Sequence, residues 1–185
     1  MKRSAVPAAA TLGILLVALC LPAQATDRCD EWKRNYASYE DAVYEAIQDE
    51  PEDLPKELRR HAKALARGYN DQAAKIDAKI RGGLTGLEAI DPHPDMRRFH
   101  TELTHCYRNG VAVLDAERRG DGPGRLAAEV RTWQAFRQMF VTVRDLLEAH
   151  GCDSGDVEAI DQKYLIHIDA EIEALKAGAG RGPSD

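Results

Sequence analysis

Histidine and carboxylate residues are the side chains of this sequence whose spacing is best suited to metal or haem binding. The chain has six histidines. Glu102 and His105 stand three residues apart, so on a helix their side chains share one face and could hold a metal ion together. His167 adjoins two apolar positions, Tyr164 and Ile168, where an imidazole could ligate haem iron. These three residues define a metal hypothesis and a haem hypothesis.

The segment Glu102-Leu103-Thr104-His105 is similar to the Glu-x-x-His motif of ferritin-like carboxylate proteins. That resemblance implies a di-metal site inside a four-helix bundle, to which the family contributes the motif from two helices. The second copy is missing here. The apolar phase of the segment also buries Leu103 and Cys106, which rotates His105 outward. We therefore interpret His105 as a solvated histidine.

His167 resembles the last-helix haem ligand of small b-type cytochromes, in which a Met on the first helix supplies the other axial ligand. The first predicted helix of this chain has no Met. We interpret His167 as a histidine at the edge of the core, bonded to a neighbour. We predict no resident cofactor, with a haem- or metal-binding bundle as the alternative function.

Nucleophilic chemistry has little support in the sequence. There is no G-x-S-x-G motif, and Ser154 is better explained as the cap of a helix. Cys106 follows His105, but adjacent residues on a helix point about 100° apart, and the predicted burial of the thiol would make it unreactive. We predict that the protein is not an enzyme.

Apolar residues at alternating three- and four-residue steps predict helices along most of the chain. The clearest segment runs from Leu126 to His150, where Arg131, Gln138, Thr142 and Asp145 form the polar side. Four other helices are predicted, at about 26–49, from Asp53 to a stop at Gly82-Gly83, from Met96 to Gly120, and from Ser154 to about 177.

No segment of the sequence has a pattern typical of a β-strand. We predict an all-α, up-and-down antiparallel bundle of four to five helices over residues 26–177, followed by a flexible tail at 178–185. The second predicted helix has a continuous apolar stripe that includes Leu65 and Tyr69. Residues 84–93 are predicted to connect it to the third, and Gly110 is predicted to mark a close helix approach.

Residues 1–25 are typical of a Sec-type signal peptide, with Lys2 and Arg3 before an apolar run and Ala23-Gln24-Ala25 as a cleavage site. Leu19 before Cys20 departs from the small residue that precedes the cysteine of lipoprotein-type acylation sites. We therefore expect cleavage after Ala25 and a periplasmic or secreted protein. No later segment approaches the ~20 apolar residues of a membrane span, so no stable membrane insertion is expected after cleavage.

The formal net charge is −6, and it becomes −8 when Lys2 and Arg3 are removed. An acidic protein is repelled by phosphate backbones and anionic membrane surfaces. The sequence therefore predicts neither a nucleic-acid partner nor a lipid partner.

Three cysteines follow the predicted cleavage site. Cys29 begins the first helix and Cys152 follows the end of the fourth, so an up-and-down path places both at one end of the bundle. Cys106 lies ~18 Å away along the third helix, at 1.5 Å per residue. Since a disulfide tolerates Cα separations of only ~4.4–6.8 Å, we predict a Cys29–Cys152 bridge and a buried, free Cys106.

Tyr44 departs from the apolar stripe of the first helix, and an exposed Tyr is favoured at protein contacts. We predict an exported, non-enzymatic helical-bundle protein that binds another protein, in an accessory, inhibitor, immunity-type or chaperone-like role. The Leu-Thr-x-x-Gln repeats of exported envelope-stress chaperones are missing. The sequence leaves the identity of the partner and the oligomeric state open.

Overall fold

The computed structural model describes residues 26–48 and 51–179. The predicted signal peptide and most of the predicted tail lie outside these residues. The described part is helical and contains no strand, so the all-α prediction is confirmed. Its helices are α1 (Thr26–Ile47), α2 (Leu54–Ala66), α3 (Asn70–Ala89), α4 (Arg97–Arg118), α5 (Gly122–Ala149), α6 (Ser154–Ile160) and α7 (Ile166–Ala179). Short 3-10 turns precede α2 and α4, and a π-helical turn (Asp161–Leu165) joins α6 to α7.

The prediction of four to five helices is wrong. Within residues 26–48 and 51–179, six helices pack together when α6, the π-helical turn and α7, which follow one another without a break, are taken as one. The extra helix arises because the second predicted helix is divided at Gly68, which has a φ of 75° that favours glycine. Tyr69 N–H donates to Ala64 C=O (2.9 Å) and closes α2. Leu65 and Tyr69, predicted to be in the core, are 38% and 55% exposed.

Gly82 and Gly83 do not end a helix as predicted, because α3 continues to Ala89 and takes up much of the predicted connector. The glycines of this helix allow a close crossing with α1. A Cβ atom at Gly86 would lie 2.8 Å from the carbonyl oxygen of Ala46. Gly110 of α4 also faces a neighbour, since its Cβ would lie 3.3 Å from the Leu54 side chain at the start of α2.

Side-chain pairs show the direction of each helix. α1 and α2 follow one another alongside α4 and run parallel to it. α3 and α5 are antiparallel to α4, and α7 is antiparallel to α5. The pairs that set these directions are Tyr39–His100, Leu54–Gly110, His61–Glu117, Arg81–Asp115, Arg98–Asp145 and Arg137–Asp169.

The core takes apolar residues from each of the helices α1 to α7. Trp32 of α1 is 1% exposed and stacks on His150, just after α5. Thr142 was predicted on the polar side of α5 but is completely buried, because α5 packs against α4 on one side and α7 on another. Ser154 is not the cap of its helix; the carboxylate of Asp153 accepts from Gly155 N–H instead (2.6 Å).

Cys29 and Cys152 form a disulfide with a Cα–Cα distance of 5.2 Å, as predicted. It fastens the start of α1 to the end of α5, and we call this the disulfide end of the bundle. At the opposite end, which we call the distal end, α2 and α4 finish and α3 and α5 begin. Cys106 is the free cysteine of the described residues and is buried in the core.

Candidate functional site

Of the residues singled out for metal or haem binding, only Glu102 and His105 lie in contact with each other. Glu102 and His105 lie on the outer part of α4, with 3.7 Å between Oε2 and Nδ1 and half of the His105 side chain exposed. Within residues 26–48 and 51–179, no group of three or more His, Cys, Asp or Glu side chains is placed to hold a metal ion. His167 is exposed on α7 rather than bonded at the core edge.

Two titratable groups of α4, the buried Cys106 and the half-buried His100, have pKa values shifted by burial. Cys106 is completely inaccessible, and its burial, followed by the charge of Glu102, raises the pKa of the thiol well above its ordinary value. A protonated, enclosed thiol is a poor nucleophile. His100 lies six residues before Cys106, and its Nδ1 shares a hydrogen bond of 2.9 Å with the hydroxyl of Tyr39. Burial lowers the pKa of His100, so this imidazole is kept neutral.

An apolar cleft separates α1 from α4, α5 and α6. Its volume is about 30 Å³, room for about two water molecules and far below the ~300–1,000 Å³ of typical small-molecule sites. His167 does not contribute to its walls, which are formed by Tyr36, Tyr39, Glu40, Val43, Pro51, Phe99, Met139, Phe140, Val143 and Ile160.

A larger and more open groove, of about 290 Å³, lies at the distal end. We call it the distal groove. One wall is the last turn of α2, and the other is the turn that joins α4 to α5. Its lining residues are Ala62, Leu65, Glu117, Gly120, Asp121, Gly122 and Arg125. Asp121 shapes the second wall, because its carboxylate accepts from Gly124 N–H (2.8 Å) and caps α5.

A buried hydrogen bond fixes the two walls of the distal groove relative to each other. His61 Nδ1 of α2 lies 2.6 Å from Glu117 Oε2 of α4, and the two side chains are only 4% and 7% exposed. Such a contact in a water-poor setting resists separation of its partners, because either group alone would be left buried without a partner. The groove is therefore a fixed feature of the bundle.

The solvent side of α2 is strongly basic. We call it the α2 basic face, and it consists of Lys56, Arg59, Arg60, Lys63 and Arg67. Three of these cations have carboxylate partners: Lys56 pairs with Asp53 (3.0 Å), Arg59 with Glu171 (3.7 Å) and Arg60 with Glu57. Lys63 and Arg67 have no ion-pair partner within the described part of the chain. The end of the face nearest the distal groove therefore carries charge that the protein itself does not neutralise.

The distal groove and the α2 basic face were not predicted from the sequence, for two reasons. The apolar periodicity continues through Leu65 and Tyr69 into α3, which disguises the break, although Gly68 followed by Asn70 and Asp71 is a recognisable stop-and-start signal. The basic face was hidden by the net charge of the whole chain, which averages over all surfaces.

Tyr44 lies on the outer side of α1 and is 59% exposed, in agreement with its departure from the apolar stripe. Whether it contacts a partner stays a prediction. None of the described helices combines the length and the apolarity that crossing a membrane requires. No known family model, curated protein or solved structure matches the chain.

Proposed function

We propose that this is an exported, non-enzymatic helical-bundle protein that binds another protein, and that the distal groove is its main contact. The observation that carries the proposal is the 38% exposure of Leu65 in the wall of an open groove with fixed walls. Tyr69, four residues further along the chain, is 55% exposed. Tyr and Arg are the residues that most often dominate protein–protein binding energy, and the surroundings of the groove supply both. Rigid walls also reduce the entropy lost on binding.

The Cys29–Cys152 bridge supports the part of the proposal that concerns export. Disulfides persist in the periplasm and outside the cell, whereas cytosolic thiols are kept reduced. The predicted signal peptide leads to the same compartment. A disulfide-tied scaffold with an accessible groove suits an accessory, inhibitory, immunity-type or chaperone-like role.

The test is cross-linking of the exported protein in cells, followed by identification of the captured proteins. A Leu65→Ser/Tyr69→Ser double variant should lose the partner, because it removes the apolar anchors without disturbing the core. Ile166→Ser is the matched control, since Ile166 is a 66% exposed apolar residue of α7 away from the groove. Its partner list should be unchanged.

Equal capture by the double variant and the parent would refute the assignment of the groove. No specific partner in any sample would refute the protein-binding function itself. Tyr44→Ala is measured in the same experiment as a separate hypothesis. Loss of the partner in that variant alone would move the contact from the distal groove to α1.

A further inference from the structure

We infer that the segment of the partner that docks here is acidic: its carboxylates pair with Lys63 and Arg67 of the α2 basic face, and an apolar side chain enters the distal groove. This inference rests on the proposed function and names the chemistry of the partner at that site. The occupant is a segment of a protein, and the argument for it is charge complementarity beside exposed apolar anchors.

The charge of α2 is opposite to that of the molecule. Residues 53–67 contain five Lys or Arg residues and two carboxylates, a net charge of +3, in a chain whose formal net charge is −6. The second of these carboxylates, Glu57, is buried and already paired with Arg60. A partner that touches this face therefore meets a positive surface.

The cations of the face are ordered along one side of the helix. Lys56, Arg60, Lys63 and Arg67 follow at steps of four, three and four residues, so they form a row ~16 Å long at 1.5 Å per residue. A row of this length is longer than a single small anion needs. It suits carboxylates repeated along a partner segment.

The unneutralised end of the row is the end that meets the apolar anchors. Lys63 directly follows Ala62 in the wall of the groove, and Arg67 lies between Leu65 and Tyr69 in the sequence. An extended or helical segment that crosses from the outer side of α2 to the groove would meet cations first and then an apolar recess. Acidic residues next to a Leu- or Phe-like side chain are the matching pattern.

A protein segment fits this surface better than an anionic membrane does. The apolar side of α2 is buried against α3 and α4, so α2 has no free apolar face to insert into lipid. A broad anionic surface would also approach the acidic remainder of the molecule and be repelled by it. At physiological salt, exposed charges act on each other only over ~8–10 Å. A narrow segment bound along α2 therefore interacts mainly with the α2 basic face.

The test is a selection of random peptides, each about a dozen residues long, on the immobilised full-length mature protein with its disulfide intact. The expected result is enrichment of peptides in which Asp or Glu flank one large apolar residue. Their affinity should fall as salt is added. In the double variant Lys63→Glu/Arg67→Glu their Kd should rise about tenfold or more, because two exposed ion pairs become repulsive contacts.

The matched control is Arg34→Glu/Arg97→Glu. It makes the same charge change at two exposed arginines that have no ion-pair partner among the described residues. Arg97 lies ~30 Å from Glu117 along α4, at the disulfide end. This variant should keep the Kd within about twofold of the parent, as expected for distant exposed charges. Circular dichroism and an intact mass that shows the disulfide establish that both variants fold.

Three results would overturn the inference. The first is a set of selected peptides without acidic enrichment, and the second is acidic peptides that bind both charge variants equally. The third is failure to enrich any peptide while the protein binds vesicles containing phosphatidylglycerol, which would make lipid the occupant. The proposed function is judged separately by the Leu65→Ser/Tyr69→Ser cross-linking, so a captured partner with no acidic preference refutes only the inference.

Discussion

The crossing of α1 and α3 can be tested by one chemical change made at two positions of the same helix. Gly82 and Gly86 both lie inside α3, one turn apart. A Cβ added at Gly82 meets nothing within 4 Å, whereas one added at Gly86 lies 2.8 Å from the carbonyl oxygen of Ala46. Because that oxygen belongs to the backbone, no side-chain rotation relieves the contact.

The magnitude follows from two effects. Replacing Gly by Ala in an exposed helix interior stabilises the folded state by about 0.5–1 kcal/mol, and this is the effect expected for Gly82→Ala. Gly86→Ala gains the same amount but forces the helices apart, and overpacking of this kind costs about 1–3 kcal/mol. The difference between the variants isolates the crossing, because helix propensity and the unfolded chain contribute equally to both.

The assay is urea unfolding of the oxidised protein, followed by circular dichroism. We expect Gly82→Ala to raise the free energy of unfolding above that of the parent, and Gly86→Ala to fall below Gly82→Ala by about 1–3 kcal/mol. Equal stabilisation of the two variants would refute the close approach of α1 and α3 at Ala46.

Three other properties can be measured on the same protein. The Cys29–Cys152 bridge closes a loop of 123 residues, so the chain-entropy model predicts that Cys29→Ser/Cys152→Ser lowers the free energy of unfolding by about 5 kcal/mol. A loss below about 1 kcal/mol in urea unfolding would contradict this. Cys106 should resist iodoacetamide in the native protein and react once the protein is unfolded, as seen by peptide mass mapping; rapid native labelling would show that the thiol is accessible. Burial lowers the pKa of His100 in the folded protein below its ordinary 6.5. At a pH between the folded and the unfolded pKa, the imidazole is therefore protonated in the unfolded chain and neutral in the folded protein. The free energy of unfolding should therefore keep its full value above pH 6.5 and decrease as the pH falls below 6.5. The decrease should be smaller in His100→Gln, and equal decreases in the parent and the variant would exclude His100 as the cause.

The parts of the fold that were predictable are those in which local pattern and tertiary packing agree. The apolar residues that recur at three- and four-residue steps in the first predicted helix, Trp32, Tyr36, Tyr39, Val43 and Ile47, are all buried. Those of the third predicted helix, Met96, Phe99, Leu103, Cys106, Gly110 and Val113, are buried as well. The disulfide was predictable because it requires only the order and direction of α1 and α5. The burial of Thr142 was not predictable, because it depends on a second neighbouring helix, α7, that the sequence of α5 does not reveal.

Glycine explains most of the remaining errors. Gly68 ends a helix because its φ is positive, while Gly83 and Gly86 lie inside α3 and allow Tyr107 and Ala46 to approach closely. Both uses put glycine on or beside an apolar stripe, so sequence pattern alone does not separate them. The candidate site depended on this distinction, since Leu65 and Tyr69 reach solvent only if the chain turns at Gly68.

The Cys29–Cys152 bridge also divides the molecule mechanically. It makes a covalent ring of α1 to α5, including both walls of the distal groove, and leaves α6 and α7 outside it. A pulling force applied on the two sides of the bridge would pass through the sulfur atoms and bypass the ring. Among the described helices, only α6 and α7 would then extend, and residues 153–179 have a contour length of roughly 90 Å at ~3.3–3.6 Å per residue. The groove would keep its shape under tension until the bridge is reduced.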